Sequence, residues 1–245
     1  AARLATQTPL NLPLPPLIMR LGTTKGTNAL LEARGAPVAL FITRGFADLP
    51  QIGNQQRPHL FQLHIQKPQP LHKCVIEVPE RLDANGTVIE PIDCSQLTQQ
   101  VQKALAQGIT NAAIALLHSY CNPEHEQILA QYLLSQGFTH VSISSELAPL
   151  IKIVPRMHTS IVNATLAPVI QQYLNAVYRQ LSAQSRLYVI TGAGALVQHL
   201  FFTPKDSLLS GPAGGVNGAA NTGMLAGYNR IISFDMGGTS TDVAR

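Results

Sequence analysis

The sequence has no tryptophan, only three cysteines and few charges: Asp, Glu, Lys and Arg make up 12% of its 245 residues, about half the roughly 25% usual for soluble domains. Apolar residues stand at 45%, close to ordinary, so the missing charge has been replaced by Gln, Asn, Ser and Thr. Cys74, Cys94 and Cys121 are an odd set without a Cys-x-x-Cys pair, which argues against a disulfide framework or a cysteine zinc site and reads as a reduced, cytoplasmic chain. No apolar run approaches the length of a membrane span, and AARLATQTPLNLPLPP at the start has neither a signal core nor a cleavage pattern. Membrane and secretory readings therefore drop out. Lys and Arg number 17 against 13 acids, a net charge of +4, but they are scattered, so an electrostatic grip on nucleic acid is not expected either.

What is present is an alternation of strands and helices. Residues 7–17 carry four prolines in eleven positions and can form neither helix nor central strand, so 1–21 is read as an extended lead-in. A short helix closing near Gly35 and a buried strand over 38–43 follow. Between Cys74 and Ile92 an alternating pattern about Asn85-Gly86 predicts a β-hairpin excursion. Leu97, Val101 and Leu105 mark a helix over 95–107, and AAIALL a strand over 112–117. Asn122-Pro123-Glu124 caps a helix that runs to Gly137, and VSIS is a strand over 141–144. A long helix over 155–181 is kinked or restarted at Pro168; a strand over 186–191, a helix over 213–226 and a strand over 230–235 complete the list. This is an α/β pattern with a mainly parallel sheet. The chain begins with Ala and stops just beyond its most distinctive motif, which we read as a piece of something longer.

That motif is DMGGTSTD, directly after the apolar strand IISF. An acid followed by two glycines presents successive backbone N–H groups of Gly237 and Gly238, with the hydroxyls of Thr239, Ser240 and Thr241, as an anion site suited to a polyphosphate. Asp235 and Asp242 supply hard oxygen ligands for an accompanying Mg²⁺. It is not a Walker loop, which needs Gly-Lys-Ser or Gly-Lys-Thr. The second motif is SGPAGGV over 210–216, where Gly211, Gly214 and Gly215 bring backbone close to a ligand and the next helix aims its N-terminus at the same place; tight helix packing is the competing explanation.

Thr191-Gly192-Ala193-Gly194 imitates a dinucleotide fingerprint, but Val197 stands where the third glycine belongs and no acid follows at the required distance. GTTKGTN, with Thr23, Thr24 and Asn28, is either an N-cap cluster or a substrate loop. Arg44 and Arg57 can clamp a carboxylate bidentately. His118, Cys121, His125 and Glu126 have the composition of a metal cluster, although the Asn122-Pro123 helix start explains the stretch better; His118 could still face a pocket from its strand end. Arg156 and His158 are helix-start residues or a second polar wall.

Seven segments, GTTKGTNALLEARG, ITRGFADLPQIGNQQRP, LLHSYCNPEHEQ, GFTHVSISSELAP, IVPRMHT, SGPAGGVNGAA and FDMGGTSTDVAR, resemble in order and register the hydantoinase A/5-oxoprolinase family, most closely its 5-oxoprolinase branch. The resemblance covers about 22–245. It implies an ATP- and Mg²⁺-dependent cyclic amidohydrolase that opens 5-oxo-L-proline to L-glutamate. The stable lactam is activated when its carbonyl oxygen attacks the γ-phosphate, and water then opens the phosphorylated imidate; such catalysis rests on positioning and charge stabilisation. It also implies an actin-like ATPase (ribonuclease H-like) architecture, incomplete here. The domains expected are the lead-in 1–21, an N-terminal-type α/β domain 22–205, and 206–245 as the start of a second ATPase-like half. Under this resemblance 235–242 is the second phosphate loop and 210–216 the glycine-rich segment beside it, while Thr23, Thr24, Asn28, Arg44, Arg57 and His158 are candidates for the substrate side.

The resemblance implies as partners the cyclic amide, the rest of a parent subunit and a homo-oligomeric assembly; nucleic acid and membrane are not expected, on the charge and hydropathy grounds above. Two departures stand out. The family's first phosphate loop, Asp-x-Gly-Gly-Thr, is absent, and Gly192-Ala193-Gly194-Ala195 replaces a Ser-Asp-Gly-Gly. The 245 residues alone are therefore expected to be weak or inactive. The alternatives are an ATP-dependent hydantoin or N-methylhydantoin hydrolase, and a non-catalytic ligand- or partner-binding module.

Overall fold

A computed structural model describes residues 2–55, 61–65, 67–236 and 241–245. In chain order the elements are α1 (Ala2–Ala5), β1 (Ile18–Leu21), α2 (Lys25–Leu31), β2 (Val38–Thr43), α3 (Leu49–Ile52), β3 (His72–Val78), β4 (Arg81–Leu82), β5 (Val88–Glu90), α4 (Thr98–Ala106), β6 (Asn111–Ala115), α5 (Glu124–Gln136), β7 (His140–Ile143), α6 (Ser144–Leu147), α7 (Ile153–Tyr178), β8 (Arg186–Ile190), β9 (Leu196–Gln198), α8 (Ser210–Leu225), β10 (Ser233–Met236) and β11 (Thr241–Ala244). Contacts divide the chain into two units, 35–168 and 1–34 with 169–245.

The 35–168 unit is built on a parallel sheet of order β3-β2-β6-β7. Its central strand β2, VALFIT, is buried at every position, which is what a continuous apolar run in a parallel sheet covered on both faces requires. Strand alternation then sorts the side chains. Ala39 and Phe41 pack with Val101, Leu129 and Leu133 of α4 and α5, and Phe41 meets the Phe138 ring edge-on with centroids 5.9 Å apart. Val38, Leu40 and Ile42 point the other way, onto Met157, Ile161 and Ala164 of α7. The expected capping of α5 is present: Glu124 N donates to Asn122 Oδ1 at 3.1 Å, and Gly137 closes the helix in the left-handed conformation, φ 112°.

One expectation fails here. The alternation from Cys74 onward is not a hairpin strand; β3 pairs parallel with β2, and its alternating exposure comes from lying at a sheet edge. Only the short β4–β5 pair forms the antiparallel excursion, turning through Gly86 at φ 84°.

The other unit holds a sheet of order β1-β8-β9 and a separate pair β10-β11. The extended lead-in expected over 1–21 is confined to 7–17, which are neither helix nor strand, as their prolines dictate; Ala2–Ala5 before them are the helix α1, and β1 directly after them pairs parallel with β8. β8 turns through 191–195 into antiparallel β9, so the strand feeds a hairpin and not the helix a dinucleotide site needs. α7 is one continuous helix with Pro168 inside it. No helix of the described residues is long and apolar enough to cross a membrane. The architecture is mixed α/β.

Candidate functional site

Two of the sequence motifs meet in the 1–34/169–245 unit, and a third adjoins them. α8 begins at Ser210, three residues before the expected start, with Leu209 taking the turn at φ 58°. The glycines 211, 214 and 215 are therefore inside the helix and not in a loop before it, and the helix N-terminus lies against the 22–28 segment: Ser210 Oγ donates to Thr23 O at 2.9 Å. A Cβ on Gly211 would stand 2.9 Å from Thr24 Cγ2, and one on Gly214 3.2 Å from Ile190 Cδ1. Those two glycines admit neighbouring side chains. Gly215 is different, because what lies nearest it is the carboxylate of Asp235, 3.6 Å from where a Cβ would be.

That carboxylate belongs to the hairpin of β10 and β11, where the antiparallel register sets Asp235 directly opposite Asp242. Directly opposed residues share a sheet face, and two acids there repel one another unless a positive charge joins them. Both line a cleft of about 280 Å³ together with Gly215, Val216, Phe234 and Ser233. The strand expected over 230–235 is thus the first arm of a hairpin, and Thr241 opens the second. Gly237, Gly238, Thr239 and Ser240 lie outside the described residues. No group of three or more His, Cys, Asp or Glu suited to a metal occurs among the described residues, so a cation here would rest on the two aspartates with water or a phosphate completing its shell, as Mg²⁺ commonly does. Within the 22–28 loop, Thr23 Oγ1 accepts from Lys25 N at 3.2 Å, and Thr24 and Asn28 are joined along the α2 backbone, Asn28 N to Thr24 O at 2.9 Å.

In the 35–168 unit, Arg44 is held by the excursion: its Nη2 lies 2.7 and 3.0 Å from the two carboxylate oxygens of Glu90, and Arg81 donates to its carbonyl. Arg57 lies outside the described residues. His158 lines a cleft of about 600 Å³ with His72, Ile52, Leu71 and Ile161. Burial, and then the neighbouring His158, hold the His72 imidazole below its ordinary 6.5.

The same unit contains a buried polar network that the sequence reading did not anticipate. It spans the carboxyl ends of all four parallel strands. Thr43, at the end of β2, donates to Glu80, which also meets His125 Nδ1 at 2.7 Å. Glu126 accepts from Leu116 N at 2.8 Å, Ser144 Oγ at 2.6 Å and Ser145 N at 2.9 Å. Arg156 lies 3.5 Å from Glu126 and donates to Leu116 O, Ser119 and Ser144. Glu80, Glu126 and Arg156 are all 0% exposed. Burying such ions costs several kcal/mol each by general experience, and apolar packing often serves stability equally well. The Asn122-Pro123 explanation of the His118–Glu126 stretch agrees with this arrangement: His125 and Glu126 are spent on the network.

Residues 17–137 match the hydantoinase/oxoprolinase N-terminal region, and 156–245 match hydantoinase/oxoprolinase. The chain is 40% identical over 250 residues to 5-oxoprolinase 1 of Arabidopsis thaliana and 40% identical over 257 residues to 5-oxoprolinase of Saccharomyces cerevisiae; each alignment covers 93% of this chain and 20% of the relative. The chain thus spans about a fifth of these relatives. Among solved structures, a nucleotide-free acetone carboxylase superposes with a TM-score of 0.78 at 26% identity, over 92% of this chain and 34% of that one. The ATP-dependent caprolactamase of Pseudomonas jessenii gives 0.74 at 26% identity, over 91% and 34%.

Proposed function

Because the chain belongs to the hydantoinase/oxoprolinase family, we propose that it is part of an ATP-dependent hydrolase of cyclic amides, of the 5-oxoprolinase kind, that converts 5-oxo-L-proline to L-glutamate. The observation that carries the reading is the cleft between α8 and the β10–β11 hairpin. Gly215 leaves room there for a ligand that a side chain would occupy, and Asp235 and Asp242 stand opposed beside it. These groups fit a magnesium-bound polyphosphate. Asp235 and Asp242 would hold the cation, and Thr241, with Gly237, Gly238, Thr239 and Ser240, would offer donors to phosphate oxygens. When bound, Mg·ATP supplies the phosphoryl group that makes the stable lactam cleavable. The chain's own part is positional: opposed carboxylates on a two-stranded pair, braced by the side of a helix, keep the cation in register without reorganisation.

The choice of 5-oxoproline over other amides is supported by the 40% identity to two 5-oxoprolinases, against 26% to the caprolactamase. In this reading the described elements are part of an actin-like ATPase (ribonuclease H-like) fold, and Thr23 and Thr24 brace the N-terminal end of α8, with Asn28 on α2 beside them in sequence. The test is simultaneous measurement of ADP and L-glutamate with 5-oxo-L-proline or hydantoin as substrate, for the full-length parent subunit and for its Asp235→Asn variant. Equal release of both products, falling about a hundredfold in the variant, supports the reading. Preference for hydantoin reassigns the branch, and ring opening without ATP contradicts it.

A further inference from the structure

The network at the carboxyl ends of the parallel strands fastens one loop at four points. Leu116 N is held by Glu126, Leu117 N by Thr43 at 2.9 Å, Leu116 O by Arg156, and the Ser119 hydroxyl by Arg156. All of these flank His118, whose side chain joins none of them. His118 takes a left-handed backbone, φ 56°, which is uncommon outside glycine, although His, Asn and Asp adopt it more readily than other residues, and such backbones concentrate at functional sites. Its Nδ1 is shut away from solvent without a hydrogen-bond partner, and an orphaned polar atom in a native interior calls for a reason. The residue as a whole is only half-buried, so part of the ring reaches the surface.

Its location supplies the reason. The sheet order β3-β2-β6-β7 sends the connections leaving β2 and β6 in opposite directions, and in open parallel sheets ligands bind outside the carboxyl ends at such a switch point. We propose that His118 is the ligand-facing residue of a small-molecule site at the carboxyl ends of β2 and β6, where it contacts the amide edge of a cyclic amide, and that Arg156 is a positioning residue that holds its loop. The ligand class rests on the function proposed above. A five-membered lactam presents its N–H and C=O side by side. With no partner at Nδ1 to fix the tautomer, Nε2 can meet either one as donor or acceptor. The rival position is the cleft at His158, which His72 also lines together with Ile52, Leu71 and Ile161.

The test is calorimetric titration of the chain with 5-oxo-L-proline and with hydantoin, alongside His118→Asn, Arg156→Lys and His158→Ala, with Mg·ATP affinity measured for each. Asparagine tolerates the left-handed backbone, so His118→Asn keeps the fold. The expected result is about tenfold weaker 5-oxo-L-proline binding in His118→Asn, the size of one hydrogen bond, with Mg·ATP binding unchanged. Independently of any variant, the His118 ring nitrogen signals of the unaltered protein should shift when 5-oxo-L-proline is added, and in Arg156→Lys they should start from a different position. If the protein binds 5-oxo-L-proline but His118→Asn binds it equally well, or only His158→Ala loses affinity, or the ring signals do not move, the site is overturned while the cyclic-amide reading stands. If the unaltered protein binds neither 5-oxo-L-proline nor hydantoin, both are overturned.

Discussion

Replacing Arg156 with methionine removes the one guanidinium inside the 35–168 network and leaves the rest of the side-chain volume roughly in place. The fully buried Glu126 carboxylate would lose its countercharge at 3.5 Å, and Leu116 O, Ser119 and Ser144 would each lose a charged donor. Breaking one side of a buried ion pair typically costs about 3–5 kcal/mol. Glu126 keeps three donors, Leu116 N, Ser144 Oγ and Ser145 N, which places the expected loss near the lower figure, about 3 kcal/mol. At about 2–4 °C per kcal/mol for a chain of this size, the melting temperature should fall by about 6–12 °C. Neutralising both partners together, as Glu126→Gln with Arg156→Met, should cost less than the sum of the two single changes by about 1–3 kcal/mol, because no uncompensated charge is left behind. Urea unfolding followed by far-ultraviolet circular dichroism measures all three variants. A loss below about 1 kcal/mol for Arg156→Met, or strict additivity in the pair, would refute the claim that these groups act as one unit.

Gly215→Leu should weaken Mg·ATP binding at the α8–hairpin cleft while leaving the protein folded, since the added side chain fills the space beside Asp235; calorimetry and a melting curve on the same sample check both halves. Gly26→Ala should destabilise by about 1–3 kcal/mol although alanine is the better helix former, because the added Cβ would fall 2.1 Å from Ser207 Oγ. Pairing it with Ser207→Ala should recover part of that loss. Folding stability should decline as pH falls below 6.5. The folded His72 resists protonation, so there the unfolded chain binds protons first, and above that pH the contribution is complete. Unfolding measured between neutral and mildly acidic pH should show a shallower slope in His72→Gln, and His158→Gln should raise the His72 titration midpoint seen by NMR.

Much of the parallel sheet and its helices could be read from the sequence, because local signals and packing agree. β2 is a continuous apolar run and is buried on both faces, and α5 carries its cap and its terminating glycine. The readings failed where one pattern has two physical origins. Alternation over 74–78 comes from a sheet edge and not from a hairpin. Glycines over 211–215 look like a loop, yet they are helical; at 211 and 214 glycine stands because Thr24 and Ile190 crowd the positions where side chains would be. The meeting of 210–216 with the ends of 235–242 was legible in outline, since both segments carry recognisable chemistry and the fold sets Gly215 in one cleft with Asp235 and Asp242. The Glu80, Glu126 and Arg156 network was not. Its members meet across 10 to 45 positions of sequence, so no period or motif announces them. His118 stood out only as a strand-end histidine until its backbone and its neighbours' bonds were known.

The central claim is that the cleft between α8 and the hairpin receives magnesium-bound ATP. Backbone amide spectra recorded during addition of Mg·ATP test it most directly. The signals of Gly215, Val216, Asp235 and Asp242 should move together, do so only when Mg²⁺ is present, and remain still in Asp235→Asn. Shifts confined to other parts of the chain, or shifts at these residues that persist unchanged in Asp235→Asn, would contradict it.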